Sequence, residues 1–225
     1  MAERTLGWIQ NPSSFENLKN VVSVFDKSSD IYKEILNTKL PDLVGDLDLL
    51  KVLTDELKKD PLEMDYVLLK GHGIKAGQKR ADSSCSGIVQ AAITTQGGRA
   101  YTDDWTADGF LRWGISIGLL DYNTEKDTVS ITALGEKFVH STSEDSDKEI
   151  LISAFLSYTP AVRILSLLEN GEHLTKFELG KQLGGIGEAG FTSIPQDLYI
   201  QAVALAPKTD KAKIRQNTEG SADKY

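Results

Sequence analysis

The sequence is poor in cysteine and has no long apolar run. Cys85 is its one cysteine among 225 residues, which excludes an internal disulfide and suits a reducing compartment. No stretch approaches the roughly 20 consecutive apolar residues of a membrane helix, so we expect no membrane partner. Residues Met1 to Thr5 lack the apolar region of a secretory signal, and we therefore expect the protein in the cytoplasm.

Residue sets typical of catalysis or metal binding are also lacking. The three histidines, His72, His140 and His173, are far apart and form no metal-ligand spacing with Cys85. No combination of nucleophile, base and orienting group can be argued from spacing. We therefore predict that this chain has no catalytic residue, no metal ligand and no cofactor of its own.

Two patterns imitate catalytic or nucleotide sites. Asp42, followed after thirteen residues by Glu56 and Lys58, fits the carboxylate and lysine pattern that holds magnesium in many nucleases. Glu56 and Lys58 fall on a predicted helix, however, and two positions apart on a helix they point to different faces. The glycine pattern from Gly185 to Gly190 follows a predicted helix rather than a strand, which indicates a loop instead of a dinucleotide site.

Charge is segregated along the chain. The formal net charge of −8 argues at first sight against nucleic acid, because phosphate neutralisation dominates affinity for DNA. Residues 42–65, however, carry eight acidic against three basic side chains, whereas residues 70–101 carry five basic against one acidic. Residues 208–224 are again basic, with five against three. Local basic faces can bind DNA on an acidic protein, and ordinary solvated faces are the alternative.

Local periodicity predicts several helices and one β-hairpin. Ser13, three residues before Glu16, has the capping-box spacing and opens a predicted helix from Ser14 to Asp26. A serine at position 83 or 84 is predicted to cap a helix that ends near Gln96. The remaining predicted elements are helices Leu47–Asp60, Asp108–Ile117 and Leu134–Val139, a stop at Gly118, and strands Leu119–Tyr122 and Thr128–Thr132. Helices followed by a hairpin are typical of a winged helix-turn-helix, and a generic small α+β domain is the alternative.

The chain divides into two predicted domains. Residues 143–149 form an acidic linker between a first domain at 1–142 and a second at 150–225. In the second domain, Thr175 and Glu178 have capping-box spacing, and a helix-turn-helix opens there. Its third helix has room to begin only near Ser221, so we expect the natural protein to continue beyond Tyr225. The predicted fold class is mainly α (α+β): tandem winged helix-turn-helix domains, each with a small hairpin wing, the second incomplete.

Several long segments resemble one protein family. They are "GWIQNPSSFENLKNVVSVFD", "DWTADGFLRWGISIGLLDY", "KEILISAFLSYTPAVRILSLLENGEHLTKFELGKQLG", "GEAGFTSIP" and "TEGSADKY". In this order they resemble the recognition region of the FokI-like type IIS restriction endonucleases, over nearly the whole chain. The resemblance implies two winged-helix subdomains that read the site GGATG in double-stranded DNA. It also implies a third subdomain, a Mg²⁺-dependent nuclease domain and a cognate methyltransferase, none of which this chain contains.

The resemblance further implies which side chains read bases. In the first domain these are Gln10, Asn11, Arg80, Gln96 and Trp105, and in the second Gln216, Glu219 and Lys224. The family has asparagine where this chain has Gln216. Asparagine and glutamine suit adenine, arginine and lysine suit guanine, glutamate suits cytosine, and an aromatic ring suits the thymine methyl. Packing against Phe110 is the alternative role for Trp105. Phosphate contacts are expected from Lys75, Lys79, Lys208, Lys211 and Lys213, for which ordinary solubility is the alternative.

Two other functions fit the same features. A winged-helix transcription regulator would share a basic recognition helix, but would act as a symmetric dimer on a palindrome. A winged-helix protein-interaction module would suit the net charge of −8. Two unlike recognition domains in tandem favour an asymmetric DNA site over the regulator, and salt dependence of binding separates DNA from protein partners.

Overall fold

The computed structural model describes residues 14–73, 77, 84–95, 99–169, 171, 173–175 and 178. This part of the chain is rich in helix and contains one small antiparallel sheet. The helices are α1 Phe15–Ser23, α2 Asp30–Glu34, a π-helical turn Ile35–Lys39, α3 Leu40–Leu43, α4 Leu47–Leu57, α5 Tyr66–Lys70, α6 Ile88–Ala92, α7 Asp104–Ser116, α8 Ala133–Val139, α9 Glu144–Ser157 and α10 Thr159–Leu168. The strands are β1 Met64–Asp65, β2 Leu120–Asn123 and β3 Thr128–Ile131.

The chain forms two compact units, and within the described residues the division falls between Ala154 and Phe155. The first unit holds α1 to α8, the sheet and most of α9, while the second holds the end of α9 and α10. Among the helices described, none is both long and apolar enough to cross a membrane.

Helix α1 begins one residue later than the sequence predicts. Its N-cap is Ser14, whose Oγ accepts the N–H of Asn17 at 3.1 Å, so the predicted cap at Ser13 was wrong. The apolar side chains Leu18, Val21 and Val22 are fully buried, as the spacing of three and four residues predicts.

The segment after α1 contains three short helical pieces that sequence periodicity did not predict. Ser29 caps α2 by accepting the N–H of Tyr32, and Pro41 lies just after the π-helical turn, at whose end the Leu40 N–H bonds the Ile35 carbonyl. Ile35 and Leu40 are fully buried. The three pieces follow one another without a break from Asp30 to Leu43, and the π-helical turn between them shifts the helical period, so no single apolar repeat runs through the segment.

Helix α4 was correctly predicted to begin at Leu47 but ends at Leu57, before the predicted Asp60. The Asp46 carboxylate caps its start by accepting the N–H groups of Asp48 and Leu49.

The sheet confirms the predicted hairpin and adds a strand. β2 and β3 pair antiparallel with Leu120 opposite Ile131, within one residue of the predicted strands. The side chain of Asn123 accepts the N–H groups of Glu125 and Lys126, which fixes the turn. The unpredicted strand β1 pairs with the other edge of β3, giving the order β1-β3-β2. Two residues are too few for sequence alternation to reveal β1.

Helices α7 and α8 flank the hairpin. α7 begins at Asp104, four residues before the predicted start, because the carboxylate of Asp103 caps it by accepting the N–H of Thr106. The predicted stop is confirmed at Gly118, whose φ of +75° lies in the left-handed region that favours glycine. α8 begins one residue before the predicted Leu134, with Thr132 as its N-cap.

Helix α6 is much shorter than predicted. The sequence suggested a helix capped by Ser83 or Ser84 and ending near Gln96, but the structure shows only Ile88–Ala92. Its N-cap is Gly87, which offers no side chain to the free amides. The predicted cap at position 83 or 84 was therefore wrong, and so was the end near Gln96.

The end of α6 is set by hydrogen bonds from outside the helix. Continuation would require the N–H of Thr94 to bond the carbonyl of Gln90. The Thr94 N–H instead donates to Asn17 Oδ1 at 2.9 Å, and the Gln90 carbonyl accepts the N–H of Thr102 at 3.2 Å. The chain at Ile93 accordingly turns to an extended conformation, with ψ of 121°.

The segment predicted as an acidic linker is helical from Glu144 onward, inside α9. Ser143 Oγ accepts the N–H of Ser146 at this start, and acidic residues in a first turn are stabilised by the free backbone amides. The Nζ of Lys19 in α1 also donates a hydrogen bond to Asp147 Oδ1 at 2.9 Å. The role of residues 143–149 as a domain boundary stays a prediction.

The second unit confirms two local predictions. α10 contains the predicted helical residues Ile164, Leu165, Leu167 and Leu168. Beyond α10, the predicted capping box is present, because the Thr175 N–H donates to Glu178 Oε2 at 2.8 Å and the Glu178 N–H donates to Thr175 Oγ1 at 3.3 Å. The predicted loop at 185–190 and the predicted third helix near position 221 lie outside the described residues.

Candidate nucleic-acid interface

Two chain segments with predicted contact residues flank α6. Residues 74–83 contain Lys75, Lys79 and Arg80 and precede it, and residues 96–98 contain Gln96 and follow it. The described residues at both ends of each segment show how the fold holds the chain there.

The ends of the first segment are joined by a close backbone contact. A Cβ added to Gly87 would lie 2.3 Å from the Gly71 nitrogen, so only glycine permits this approach. Gly71 has a φ of +76°, which also favours glycine. Beside this contact, the His72 N–H donates to Ser86 Oγ at 2.9 Å, and the same hydroxyl lies 3.3 Å from the His72 carbonyl. Residues 71–72 and 86–87 therefore form a closed base, which we call the loop base.

A buried glutamine completes the loop base. Gln90 is 2% exposed and lies on α6. Its Oε1 accepts the backbone N–H of Ser86 at 2.9 Å and lies 3.3 Å from Ser86 Oγ. A buried amide oxygen without a hydrogen-bond partner would lower the stability of the fold, so the bonds from Ser86 to Gln90 hold the loop base against α6.

The far end of α6 is held by α1. Asn17 Oδ1 accepts the Thr94 N–H, and Asn17 Nδ2 donates to the Thr94 carbonyl at 3.2 Å. The hydroxyl of Thr95 donates to the Arg99 carbonyl, which closes the second segment across its two ends. The chain thus enters and leaves residues 96–98 from fixed positions.

Trp105 is the single predicted base-reading residue among the described residues. It lies in the first turn of α7 and is 63% exposed. Phe110, its predicted alternative packing partner, is buried and contacts the ring of Trp113 at 5.8 Å between centroids. The indole of Trp105 is therefore available to a ligand. A Cβ on Gly73 would lie 3.4 Å from the Asp104 carboxylate, so the first segment leaves the loop base beside this turn.

One acidic group of α7, Asp108, balances part of the basic charge. Asp108 Oδ2 accepts from Arg112 Nε at 2.7 Å, and Lys70 Nζ lies 4.0 Å from Asp108 Oδ1. The hydroxyl of Tyr66 also bonds Asp108 at 3.0 Å. The charge of Lys70 is thus partly matched within the fold, and the excess of basic residues lies further along the chain, at Lys75, Lys79 and Arg80.

The Cys85 thiol, next to the loop base in the chain, is buried and unreactive. Cys85 is fully buried, and burial raises the pKa of its thiol to about 11. Its Sγ lies 3.3 Å from the Gly87 carbonyl. At neutral pH it remains a protonated thiol that packs as a small apolar side chain.

The magnesium-like pattern has a structural role instead. Glu56 is 6% exposed, and its Oε1 accepts both the Asp65 N–H and Lys59 Nζ at 2.6 Å. Asp42 is exposed on α3, and Lys58 is the C-cap of α4. Within the described ranges, no group of three histidine, cysteine, aspartate or glutamate residues could hold a metal ion.

The other predicted contact residues lie outside the part of the chain that the structure describes, and their roles stay predictions. They are Gln10, Asn11, Arg80, Gln96, Gln216, Glu219 and Lys224 for bases, and Lys75, Lys79, Lys208, Lys211 and Lys213 for phosphates. Sequence reasoning missed the supporting residues Asn17, Gln90 and Gly87. The one available signal was the glycine at position 87 after a serine-rich stretch, since a long-range partner leaves no periodic trace.

Two family models together match nearly the whole chain. Residues 4–141 match "FokI, recognition domain, subdomain 1", and residues 147–225 match "FokI, recognition domain, subdomain 2". The chain belongs to the FokI recognition-domain family. The resemblance noted in the sequence is thereby confirmed.

Curated relatives of the FokI family agree. The chain is 46% identical over 224 residues to the type II restriction enzyme FokI of Planomicrobium okeanokoites, covering 99% of this chain and 38% of that protein. It is 28% identical over 219 residues to the type II restriction enzyme StsI of Streptococcus sanguinis, covering 93% and 35%. The chain thus spans less than two fifths of the length of these relatives.

Solved structures of FokI have the same fold. The restriction endonuclease FokI bound to DNA matches with a TM-score of 0.77 and 43% identity, covering 98% of this chain and 39% of that one. A second structure of restriction endonuclease FokI matches with a TM-score of 0.78 and 45% identity, covering 99% and 38%. The coarse fold prediction, mainly helical with a small antiparallel sheet, is confirmed.

Proposed function

We propose that this chain is a sequence-specific double-stranded DNA-binding module, the recognition part of a type IIS restriction endonuclease, with GGATG as its target. The observation that carries the proposal is the match of both recognition-subdomain families across the chain. One matching structure is of FokI bound to DNA, which supports double-stranded DNA as the partner. The exposed indole of Trp105, beside the loop base, supports a contact surface there.

We also propose that the first unit is a winged helix-turn-helix. Its elements follow the order α4, β1, α5, α6, α7, β2, β3, and the sheet has the order β1-β3-β2 with a β2-β3 hairpin at one side. A small sheet that ends in a hairpin after several helices supports this assignment. The hairpin tip carries Glu125, Lys126 and Asp127, so phosphate contacts are better supplied by the basic segment at 75–80.

The proposed base-reading positions are those that the family resemblance implies, and their side-chain chemistry fits that role. Arg80 suits guanine, Gln10, Asn11, Gln96 and Gln216 suit adenine, Glu219 suits cytosine, Lys224 suits guanine, and Trp105 suits a thymine methyl. Lys75, Lys79, Lys208, Lys211 and Lys213 would hold phosphates and set the register without reading sequence.

The natural protein is proposed to contain more than this chain. A third recognition subdomain and a nuclease domain that uses Mg²⁺ would occupy the part of the relatives' length that this chain does not span. The intact enzyme would hydrolyse DNA, with a cognate methyltransferase that protects the same site, and it would act in the cytoplasm. This chain by itself is proposed to be non-catalytic.

A titration tests the proposed function. Fluorescently labelled duplexes, one with GGATG and one with the same bases scrambled, are titrated with the 225-residue chain at two salt concentrations. We expect tighter binding to the GGATG duplex, and an affinity for both duplexes that falls steeply with salt, because released counterions drive phosphate contacts. Equal affinity for the two duplexes would remove the sequence-reading function, and binding that salt does not weaken would favour a protein-interaction module.

A further inference from the structure

Two of the predicted base-reading positions, Asn11 and Gln96, are close in sequence to one hydrogen-bonded pair of described residues, Asn17 and Thr94. Asn11 lies six residues before Asn17 in the chain, and Gln96 lies two residues after Thr94. Asn17 and Thr94 are joined by two hydrogen bonds, of 2.9 Å to the N–H and 3.2 Å to the carbonyl of Thr94. The chain that follows the N-terminal segment is therefore tied directly to the chain that precedes Gln96.

The side-chain amide of Asn17 acts here as a peptide group would. It donates to a carbonyl and accepts from an N–H of the same residue, so it fixes both the position and the rotation of the backbone at Thr94. A single hydrogen bond would leave that rotation free. Thr94 is itself exposed, so the pairing holds the backbone without burying the side chain.

The same pair decides where α6 ends. The Thr94 N–H bonded to Asn17 is the group that would otherwise extend α6 by bonding the Gln90 carbonyl. That carbonyl accepts from Thr102 instead. Without the Asn17 amide, α6 would gain a free donor at its end, and the direction of the chain toward position 96 would no longer be fixed.

Asn17 is itself held firmly. Its backbone N–H donates to Ser14 Oγ in the cap of α1, and the neighbouring Leu18 is fully buried. Helix α1 cannot shift without disturbing the core, so the Asn17 side chain holds the Thr94 backbone at a fixed position.

We propose that Asn17 is a positioning residue for sequence recognition: it holds the backbone at Thr94, which leads to Gln96, in fixed relation to α1. The proposal rests on the proposed function. It adds a residue that determines sequence specificity without contacting DNA itself.

A double-mutant cycle tests the proposal. Asn17→Leu, Gln96→Ala and the double variant of the 225-residue chain are titrated with the GGATG duplex and with duplexes that carry one substituted base pair each. Asn17→Leu should weaken GGATG binding about tenfold in the native background and less than about twofold in the Gln96→Ala background, because it acts through that residue. Both single variants should lose discrimination at the same base pair.

The matched control is Asn20→Leu, on the same helix, for which the described part of the chain offers no hydrogen-bond partner. It should leave binding and discrimination unchanged. Should Asn17→Leu fail to fold, Asn17→Asp keeps an acceptor for the Thr94 N–H but puts a charged oxygen against the Thr94 carbonyl in place of the donor, and the same coupling is expected.

The outcomes separate the two claims. Equal losses from the Asn17 substitution in both backgrounds, or no loss, would overturn the positioning role and leave the proposed function standing. A native chain that does not discriminate GGATG from the scrambled duplex would overturn the proposed function, and the positioning role with it.

Discussion

Gly87 shows how one missing side chain can shape the loop base. Its Cβ position is occupied by backbone, with the Gly71 nitrogen at 2.3 Å and its Cα at 2.6 Å, so no side-chain rotation could relieve a clash. Gly71 and Gly87 allow the backbone before and after the basic segment at 74–83 to come into direct contact. The loop base is therefore a steric requirement as much as a hydrogen-bonding one.

Gly87→Ala should destabilise the protein by about 1 to 3 kcal/mol, because the added methyl must push the Gly71 backbone away. Urea unfolding followed by circular dichroism measures the change. The control is Gly45→Ala, whose Cβ would meet nothing closer than Ser84 Cβ at 3.9 Å, with an expected change within about 0.5 kcal/mol. Equal stability of the two variants would mean that the close contact at Gly87 is absent.

The buried thiol of Cys85 makes the free energy of unfolding depend on pH in the alkaline range. Burial holds the folded-state pKa of its thiol at about 11, above the ordinary value of 9.0 that the unfolded chain has. Between these values the unfolded chain releases a proton that the folded chain keeps, so stability falls as pH rises. The full loss would be up to about 3 kcal/mol, and Cys85→Ala should remove this component.

The measurement compares urea midpoints of the native chain and Cys85→Ala at pH 7.5 and 10.5. Tyrosines and lysines titrate in both proteins, so only the difference between their pH dependences reports on Cys85. Identical pH dependences would show that the thiol ionises freely in the folded state.

Trp105 should separate binding from stability. Because it is 63% exposed, Trp105→Ala is expected to change unfolding free energy by no more than about 0.5 kcal/mol. Binding to the GGATG duplex should weaken by about 1 to 3 kcal/mol if the indole meets a base. Trp113→Ala gives the opposite pattern, since Trp113 is 2% exposed and its loss should cost about 3 to 5 kcal/mol of stability. Unchanged duplex affinity of Trp105→Ala would remove that residue from the interface.

At the scale of elements, α9 is held at its start by Lys19. The ammonium of Lys19 bonds both carboxylate oxygens of Asp147 and the carbonyl of Ser141, and it lies 5.5 Å from the ring centroid of Phe138. One residue of α1 thus joins the end of α8, the following turn and α9. The acidic run looked like a linker because its sequence contains no apolar residue, whereas its order comes from a cation elsewhere in the chain.

Lys19→Met should loosen the start of α9. The pair is partly buried, with side chains 25% and 27% exposed, so we expect a loss of about 1 kcal/mol and faster amide hydrogen exchange across residues 144–150. Lys148→Met is the control, because Lys148 is 59% exposed and its ion pairs among the described residues are with exposed acidic groups of its own helix. Similar exchange in the two variants would contradict the role of Lys19.

Elements whose sequence signals lie within their own residues were predicted well. The hairpin was placed within a residue because its strands alternate and its turn is polar, and α8 and the Thr175 capping box followed from their own residues. The helical run at 30–43 was missed because its π-helical turn interrupts the period, and strand β1 was missed because two residues show no alternation. Helix α6 was overextended, because the groups that end it belong to Asn17 and Thr102.

At the scale of the whole chain, the net charge of −8 is a poor guide to partners. Some of the acidic residues have roles within the fold: Asp46, Asp65 and Asp103 cap helices, and Glu56 accepts a backbone N–H. These carboxylates are fixed in place by local structure. The basic residues of the segment at 75–80 lie outside the described residues, and their contact with a ligand stays a prediction.

The chain with Mg²⁺ should leave supercoiled plasmid intact. Glu56 would have to give up the Asp65 N–H and Lys59 to bind a metal, and its burial opposes that exchange. Agarose gels over a range of enzyme and metal concentrations measure cutting, with a type II restriction enzyme as the positive control. Cleavage that Glu56→Gln abolished would revive the Asp42, Glu56 and Lys58 site.

The amino-acid sequence by itself determined the family, the helical class, the hairpin and the residue types suited to base reading. These depend on local spacing, side-chain chemistry and long runs of matching residues, all of which are visible along the chain. The tertiary structure alone decided that α6 stops at Ala92, that residues 71–72 and 86–87 close into a base, and that Asn17 and Lys19 hold distant segments. Each of these depends on a hydrogen bond or a backbone contact between residues far apart in sequence, and such contacts form only when the core has brought the helices together.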